Sequence, residues 1–276
     1  VKKEKFIDVE KIIASKNPKL LKWLPGFLLR YIKRILHEDE VNVFFAEHGE
    51  KRNVVFAQTV MDFFDLKLVF NGVENIPAEN GCIIASNHPL GGLDGLAFMI
   101  AVSRKRSDML FPVNDILLSL GTMNEIFIPV NKHGTQNALA QIEETYRSDK
   151  AVLIFPAGLV SRKQGGKILD LEWKKSFIAK AIQYNKPIIP VHIEGKNSNW
   201  FYNLARWRKF FGIKANIEMF YLCDEMFRQR NKTITITFGK AIDPKFFDRS
   251  RSHKEWAQIV KEQVYAIGEG RKGPIY

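Results

Sequence analysis

The sequence predicts an α/β fold: a mostly parallel sheet flanked by helices, preceded by an N-terminal amphipathic helical segment. Three observations carry this. From Leu66 onward, short apolar runs alternate with helical patterns, as in sheets whose strands are joined by helical crossovers. Runs such as Cys82–Ala85 and Ala151–Phe155 are apolar throughout, as buried strands are. Before Leu66 the pattern is mostly helical.

The elements follow in order. Within residues 1–64, Pro25-Gly26 interrupts the apolar pattern, so two short helices are expected there rather than one long one. A further helical pattern runs from Val54 to Phe64. Candidate strands are Leu66–Phe70, Cys82–Ser86, Leu110–Val113, Ile126–Val130, Ala151–Phe155, Ile188–Ile193 and Thr233–Phe238. Pro190 marks the sixth of these as an edge strand or a strand end. One helix begins near Asp94 and runs to about Val102; another follows Thr135 as N-cap, with Leu139, Ile142 and Tyr146 on one face. A third turns Trp173, Phe177, Ile178, Ala181 and Ile182 inward. A last one starts at Ser252 and buries Trp256, Ile259, Val260 and Val264. The division expected is a helical membrane-associating segment over 1–64 and an α/β domain over 65–276, a size that 276 residues with 46% hydrophobic content can fill.

The formal charge is +12 and the pI about 9.6. Nucleic acid, anionic lipid and an acidic carrier protein all suit that balance. The setting of the cations favours lipid. Between Leu20 and Leu36, Lys and Arg alternate with Trp23, Phe27 and Tyr31, and Trp200–Phe211 repeats the habit around Arg206, Arg208 and Lys209. Rings beside cations fit a lipid interface; two ordinary amphipathic core helices fit the same pattern. No helix-turn-helix, RNA-binding or zinc signature accompanies the charge, so nucleic acid is not expected as a partner. No apolar run reaches the ~20 residues of a membrane span, and no secretory signal is visible. The expectation is a peripheral protein on the cytoplasmic face of the inner membrane. Cys82 and Cys223 are too sparse for a disulfide framework or a zinc site and are expected as reduced core thiols. The histidines lack metal-ligand spacing, so no metal and no cofactor are expected.

Three loops fall at strand ends, where open α/β sheets bind ligands. The first is Ser86-Asn87-His88-Pro89-Leu90-Gly91-Gly92-Leu93-Asp94-Gly95. Gly91 and Gly92 permit a sharp turn that brings Asp94 back toward the His88 imidazole. A carboxylate on one ring nitrogen would leave the other to take a proton from an alcohol or amine attacking an acyl group. The spacing fits equally a plain helix cap beside a structural histidine. The second loop, Phe155-Pro156-Ala157-Gly158-Leu159-Val160-Ser161-Arg162-Lys163, sets backbone N–H groups and cations where an anionic headgroup or an oxyanion would lie; a solvated turn is the other reading. The third carries His192, expected as structural.

Asn87-His88 through Asp94, then Ile126–Val130, Phe155–Arg162 and Ile189-Pro190-Val191, come in the order and rough spacing of four motif blocks. Together they resemble the glycerolipid acyltransferase family, which includes lysophosphatidate acyltransferases, over residues 66 to 240. The strings NHPLGGLDG and FPAGLVSR are similar to its hemolysin-like, ornithine-lipid and glycine-lipid O-acyltransferase branch.

The resemblance implies that His88 is the base and Asp94 its orienting partner. It implies a thioester of acyl carrier protein or coenzyme A as donor and a lyso-lipid as acceptor. Asn87, Gly91, Gly92, Lys132, Phe155, Pro156, Gly158, Ser161, Arg162 and Lys163 are the candidate substrate-binding residues. Three departures stand out. Pro129 and Val130 follow Phe127-Ile128 where phosphate-using relatives carry Arg, and Lys132 is the nearest cation. Ala157 stands where those relatives have Glu. One extra residue separates His88 from Asp94. Lacking the Arg that binds phosphate bidentately, the chain is expected to take a lyso-aminolipid whose carboxylate meets Arg162, Lys163 and Lys167. Lysophosphatidate transfer, thioester hydrolysis and non-catalytic lipid binding are the rival readings.

Overall fold

The computed structural model describes residues 5–118, 120–130, 136–271 and 273. The α/β chain pattern resolves into strands β1 (Lys67–Asn71), β2 (Cys82–Ser86), β3 (Met109–Val113), β4 (Phe127–Pro129), β5 (Ala151–Ile154), β6 (Arg162–Gln164), β7 (Lys167–Leu169), β8 (Ile188–Ile193) and β9 (Thr233–Phe238). Among the described residues, seven of them form one sheet in the order β1-β9-β8-β2-β5-β3-β4. The five strands from β8 to β4 run parallel, while β9 pairs antiparallel with β8 and parallel with β1. The sheet is therefore mostly parallel, as the alternating pattern predicts. β6 and β7 form a separate antiparallel hairpin. Its two-residue turn uses Gly165 and Gly166, both at positive φ, which matches the twist that short hairpin turns need.

Alternation of side chains sets the layers. Cys82 and Ile84 of β2, with Ala151 and Leu153 of β5, join a core on one face; Ile83, Ala85, Val152 and Ile154 join a second core on the other. The first face is covered by α5 (Asn53–Phe63) and α6 (Gly92–Ser103), the second by α8 (Gln136–Arg147), α9 (Ser176–Gln183) and α12 (His253–Gly268). α6 is apolar on nearly every side, because it lies between the sheet and α5. α12 begins at the expected N-cap, with Ser252 and Glu255 in a reciprocal capping box, and buries Trp256, Val260 and Val264. Ile83, Ile84, Ile189 and Val191 are fully buried. Each contributes about 1.5–3 kcal/mol by leaving water, which holds the carboxyl end of β2 in place.

The N-terminal residues form more helices than expected: α1 (Val9–Lys16), α2 (Pro18–Trp23), α3 (Gly26–Ile35) and α4 (Glu38–His48) precede α5. The break at Pro25-Gly26 separates α2 from α3. His37, in the left-handed conformation, separates α3 from α4. Phe44 of α4 and Phe56, Ala57, Val60 and Met61 of α5 lie in the same core as the sheet. Trp23 and Phe27 are instead 86% and 69% exposed. α7 (Asp115–Leu118) follows β3, and α10 (Asn199–Phe210) and α11 (Leu222–Phe227) lie between β8 and β9.

Pro190 is not at an edge. β8 lies between β9 and β2, and Pro190 pairs in register with Ala85. The sheet tolerates it because the β9 ladder starts one residue later, at Val191. Beyond that point Gly239 N–H donates to Pro190 O and Ile188 bridges Ile242, leaving three residues opposite two. A proline fits such a bulged stretch.

Candidate active site

β2 ends at Ser86, and the next residue extends the sheet with its side chain. Asn87 Oδ1 accepts from Ile193 N–H at 2.7 Å, and Asn87 Nδ2 donates to Ile193 O at 2.9 Å. Asn87 thus ties β2 to β8, is buried, and anchors the loop. His88 follows at the carboxyl end of the sheet.

Asp94 occupies the first turn of α6, buried, with Oδ2 accepting from Leu90 N–H at 2.8 Å and Gly91 N–H at 3.2 Å. Its two oxygens lie 3.0 and 3.1 Å from His88 Nδ1. Asp94 is therefore both the helix cap and the histidine partner. The helix N-terminus and two N–H donors stabilise its negative charge. Because Asp94 accepts, Nδ1 of the neutral ring carries the proton, and the Nε2 lone pair is free. Nε2 has no hydrogen-bond partner among the described residues, and the His88 side chain is 18% exposed. The ring lies flat on Phe155, 4.0 Å between centroids and 15° between planes, which fixes its tilt.

The extra residue between His88 and Asp94 is absorbed at Gly91, whose φ of 93° and ψ of −120° are open only to glycine. A Cβ there would lie 3.2 Å from Leu222, and one on Gly92 3.2 Å from Met226 Sδ. α11 thus packs directly on the Gly91-Gly92 turn.

A second buried carboxylate holds the other side of His88. Asp170 Oδ1 accepts from His88 N–H at 3.2 Å and from the Ser161 hydroxyl at 2.6 Å; Oδ2 accepts from Trp173 Nε1–H at 2.8 Å. Ser161 N–H donates to His88 O at 2.8 Å. Burial pushes the Asp170 carboxyl up from its ordinary range, and the Ser161 and Trp173 donors oppose that rise. Lys261 Nζ donates to Asp170 O at 2.7 Å, and Asp170 N–H donates to Tyr265 OH. Sequence reasoning missed Asp170, Lys261 and Tyr265; Trp173 is buried as expected but precedes α9, which starts at Ser176. Asp170 stands 82 residues from His88 with no local pattern around it. Ser161, a candidate substrate-binding residue, links His88 to Asp170.

The rest of the Phe155–Lys163 loop divides. Gly158, at φ 64°, closes a turn by donating to Phe155 O, and Pro156 O accepts from Lys174 N–H. Ala157 is buried in the second core. Arg162 is turned inward. Its guanidinium is buried, donating to Val160 O at 2.6 Å and to Glu218 at 2.9 Å, and lies over Phe201. Arg208 Nε lies 2.8 Å from the other oxygen of Glu218, completing a buried Arg–Glu–Arg group. Desolvation lowers the Arg162 pKa from its usual value, opposed by Glu218. Lys167 lies 3.9 Å from Glu269. Of the three cations expected to clamp a carboxylate, Lys163 and Lys167 are exposed, and Lys163 alone lines a cavity beside the site. Lys132 and the Thr135 cap lie outside the described residues. His192 packs against Gly268 and Tyr265, and burial holds its pKa below the ordinary value. Cys82 and Cys223 are free thiols, pushed by burial up to about 11 and about 12.

This geometry holds an imidazole in a fixed orientation, with Nδ1 on a buried carboxylate and Nε2 without a hydrogen-bond partner among the described residues. Residues 11–271 match the family model described as Acyltransferase. A lyso-glycine lipid O-acyltransferase from Bacteroides thetaiotaomicron is 46% identical over 265 residues, covering 95% of this chain and 97% of the relative. One of the same name from Phocaeicola vulgatus is 44% identical over 265 residues, covering 95% of each. Among solved structures, the crystal structure of the 1-acyl-sn-glycerophosphate acyltransferase PlsC from Thermotoga maritima aligns over 96% of this chain and 95% of its own, with 17% identity and a TM-score of 0.49. The family match runs from α1 to the end of α12, and the glycine-lipid relatives agree with the motif resemblance: the chain belongs to the acyltransferase family.

Proposed function

We propose that the protein moves a fatty acyl group from an acyl thioester, held by acyl carrier protein or coenzyme A, to the free hydroxyl of a lyso-glycine lipid. The observation that carries this is the His88–Asp94 pair, with Nδ1 held and Nε2 open. Nε2 takes the proton of the lipid alcohol as its oxygen attacks the thioester carbonyl. The tetrahedral intermediate collapses to the ester, the C–S bond breaks, and the imidazolium returns its proton to the thiolate. Asp94 stabilises the imidazolium without itself becoming protonated. No covalent acyl-enzyme is needed.

Glycine lipid is favoured over lysophosphatidate by the lack of the motif Arg and Glu and by the two named relatives. A mass-spectrometric assay with a panel of lyso-glycine lipid, lyso-ornithine lipid and lysophosphatidate tests this. The lyso-glycine lipid is expected to be acylated fastest; faster acylation of lysophosphatidate overturns the acceptor assignment.

A membrane surface is the proposed setting of the reaction. No helix among the described residues is long and apolar enough to cross a membrane. Trp23 and Phe27 at α2–α3, and Trp207, Phe210 and Phe211 at α10, are all more than half exposed. A 2.7 Å hydrogen bond between Tyr31 and Tyr221 makes these elements neighbours, with Trp200 6.0 Å from Tyr221. Exposed rings among cations suit a lipid interface. Replacing Trp23 and Phe210 together by Ala is expected to weaken sedimentation with anionic vesicles about tenfold or more. Unchanged sedimentation would remove these rings from the membrane contact.

A further inference from the structure

Beside the catalytic loop lies a cavity of about 590 Å³ that the reaction as described does not use. Its walls come from the β6–β7 hairpin, the loop after β8, and α11 with the turn that follows. Four exposed cations line it: Lys163, Lys196, Arg228 and Lys232. The lining carboxylate, Glu225, is 1% exposed and turned onto Ser198, accepting from its N–H and its hydroxyl. Arg228 is engaged by Asp224 and Lys232 by Gln229. Lys163 and Lys196 have no side-chain partner among the described residues.

Asn197 lines the same cavity and is 5% exposed. Its Nδ2 donates to Pro89 O at 3.3 Å, which fixes the orientation of the amide, since the reverse would set two oxygens together. Its Oδ1 is buried and accepts nothing among the described residues. A buried acceptor of this kind calls for an N–H or O–H donor. This bond joins it to Pro89, the residue next to His88, so the cavity lies against the loop that carries the histidine.

We infer that this cavity is the subsite for the acceptor's headgroup, with Lys163 and Lys196 holding its carboxylate and Asn197 Oδ1 accepting its amide N–H. This rests on the lyso-glycine lipid reading. An N-acylated glycine presents one carboxylate and one amide N–H a single carbon apart, matching two cations beside one buried acceptor. Its carboxylate and the hydroxyl on its acyl chain are about 7 Å apart when extended, two residue lengths. The phosphate of a donor's pantetheine arm lies roughly 15 Å or more from the thioester, so a cation pair beside the catalytic loop suits the acceptor better.

The test is steady-state kinetics of the full chain with lyso-glycine lipid and its methyl ester, which keeps the amide and loses the charge. The wild type is expected to favour the acid at least tenfold in kcat/KM. In the Lys163→Gln, Lys196→Gln double variant that ratio is expected to fall to within about twofold, through a higher KM for the acid. Both side chains are exposed, and circular dichroism verifies the fold. A double variant that keeps the wild-type preference overturns the subsite, as does one whose KM rises for the donor instead. A wild type that acylates neither compound overturns the acceptor reading and the subsite with it.

Discussion

Replacing Asp94 by Asn separates its two duties. Oδ2 accepts from Leu90 and Gly91 N–H, so the position facing those donors must remain an oxygen. The Asn carbonyl takes it, and the amide nitrogen is left at the Oδ1 position, 3.0 Å from His88 Nδ1. An NH₂ there donates, so Nδ1 becomes the acceptor and the ring proton moves to Nε2. The base then has no lone pair toward the alcohol. A catalytic histidine held in the wrong tautomer loses on the order of 10³–10⁴ in kcat, or about 4–5.5 kcal/mol of barrier. The helix cap survives, so stability should change by less than about 1 kcal/mol, a Tm shift of about 2–4 °C at most. Asp94→Ala, which removes the cap as well, should cost about 1–2 kcal/mol more. Product formation followed by mass spectrometry, with calorimetric Tm on the same samples, reads both quantities. An Asp94→Asn enzyme within tenfold of wild type refutes the tautomer argument.

Asp170 receives donors on both oxygens, so Asp170→Asn must set its NH₂ against Trp173 Nε1–H or against Ser161 and His88 N–H. That should cost about 1–3 kcal/mol, seen as a lower urea midpoint, and lower kcat by loosening the His88 backbone; an unchanged midpoint counts against Asp170 as the anchor. Burial holds His192 below its ordinary 6.5, so the unfolded chain binds a proton that the folded one refuses. Stability should fall as pH drops from 6.5 toward the folded value, and His192→Gln should flatten that slope in urea titrations at stepped pH.

The central sheet was legible because its strands are apolar and bounded. Cys82–Ser86, Ile188–Ile193 and Thr233–Phe238 coincide with β2, β8 and β9. The β6–β7 hairpin escaped because each strand has three residues, Arg-Lys-Gln and Lys-Ile-Leu, too short and polar to show a period. α5 reads as part of a separate helical segment because amphipathic periodicity gives a buried face but not its partner, here the sheet core.

At the site, His88 and Asp94 share one loop, so spacing alone brought them within reach. The inward setting of Arg162 was not legible for the opposite reason: its partner Glu218 comes from 56 residues away, and the Arg208 that completes the group lies on α10. A buried charge is matched by tertiary packing that no short motif records. Asp170, Lys196 and Arg228 escaped in the same way: Asp170 meets His88 from 82 residues away, and Lys196 and Arg228 line one cavity from separate elements.

The most direct test of the account is a single-turnover measurement with saturating acyl thioester and lyso-glycine lipid, comparing wild type with His88→Ala and weighing the intact protein at each time point. The account predicts ester formed in one step, no acyl-enzyme at any time, and a rate for His88→Ala lower by at least about a thousandfold. A covalent acyl-enzyme that accumulates before product, or a His88→Ala rate within tenfold of wild type, would contradict it.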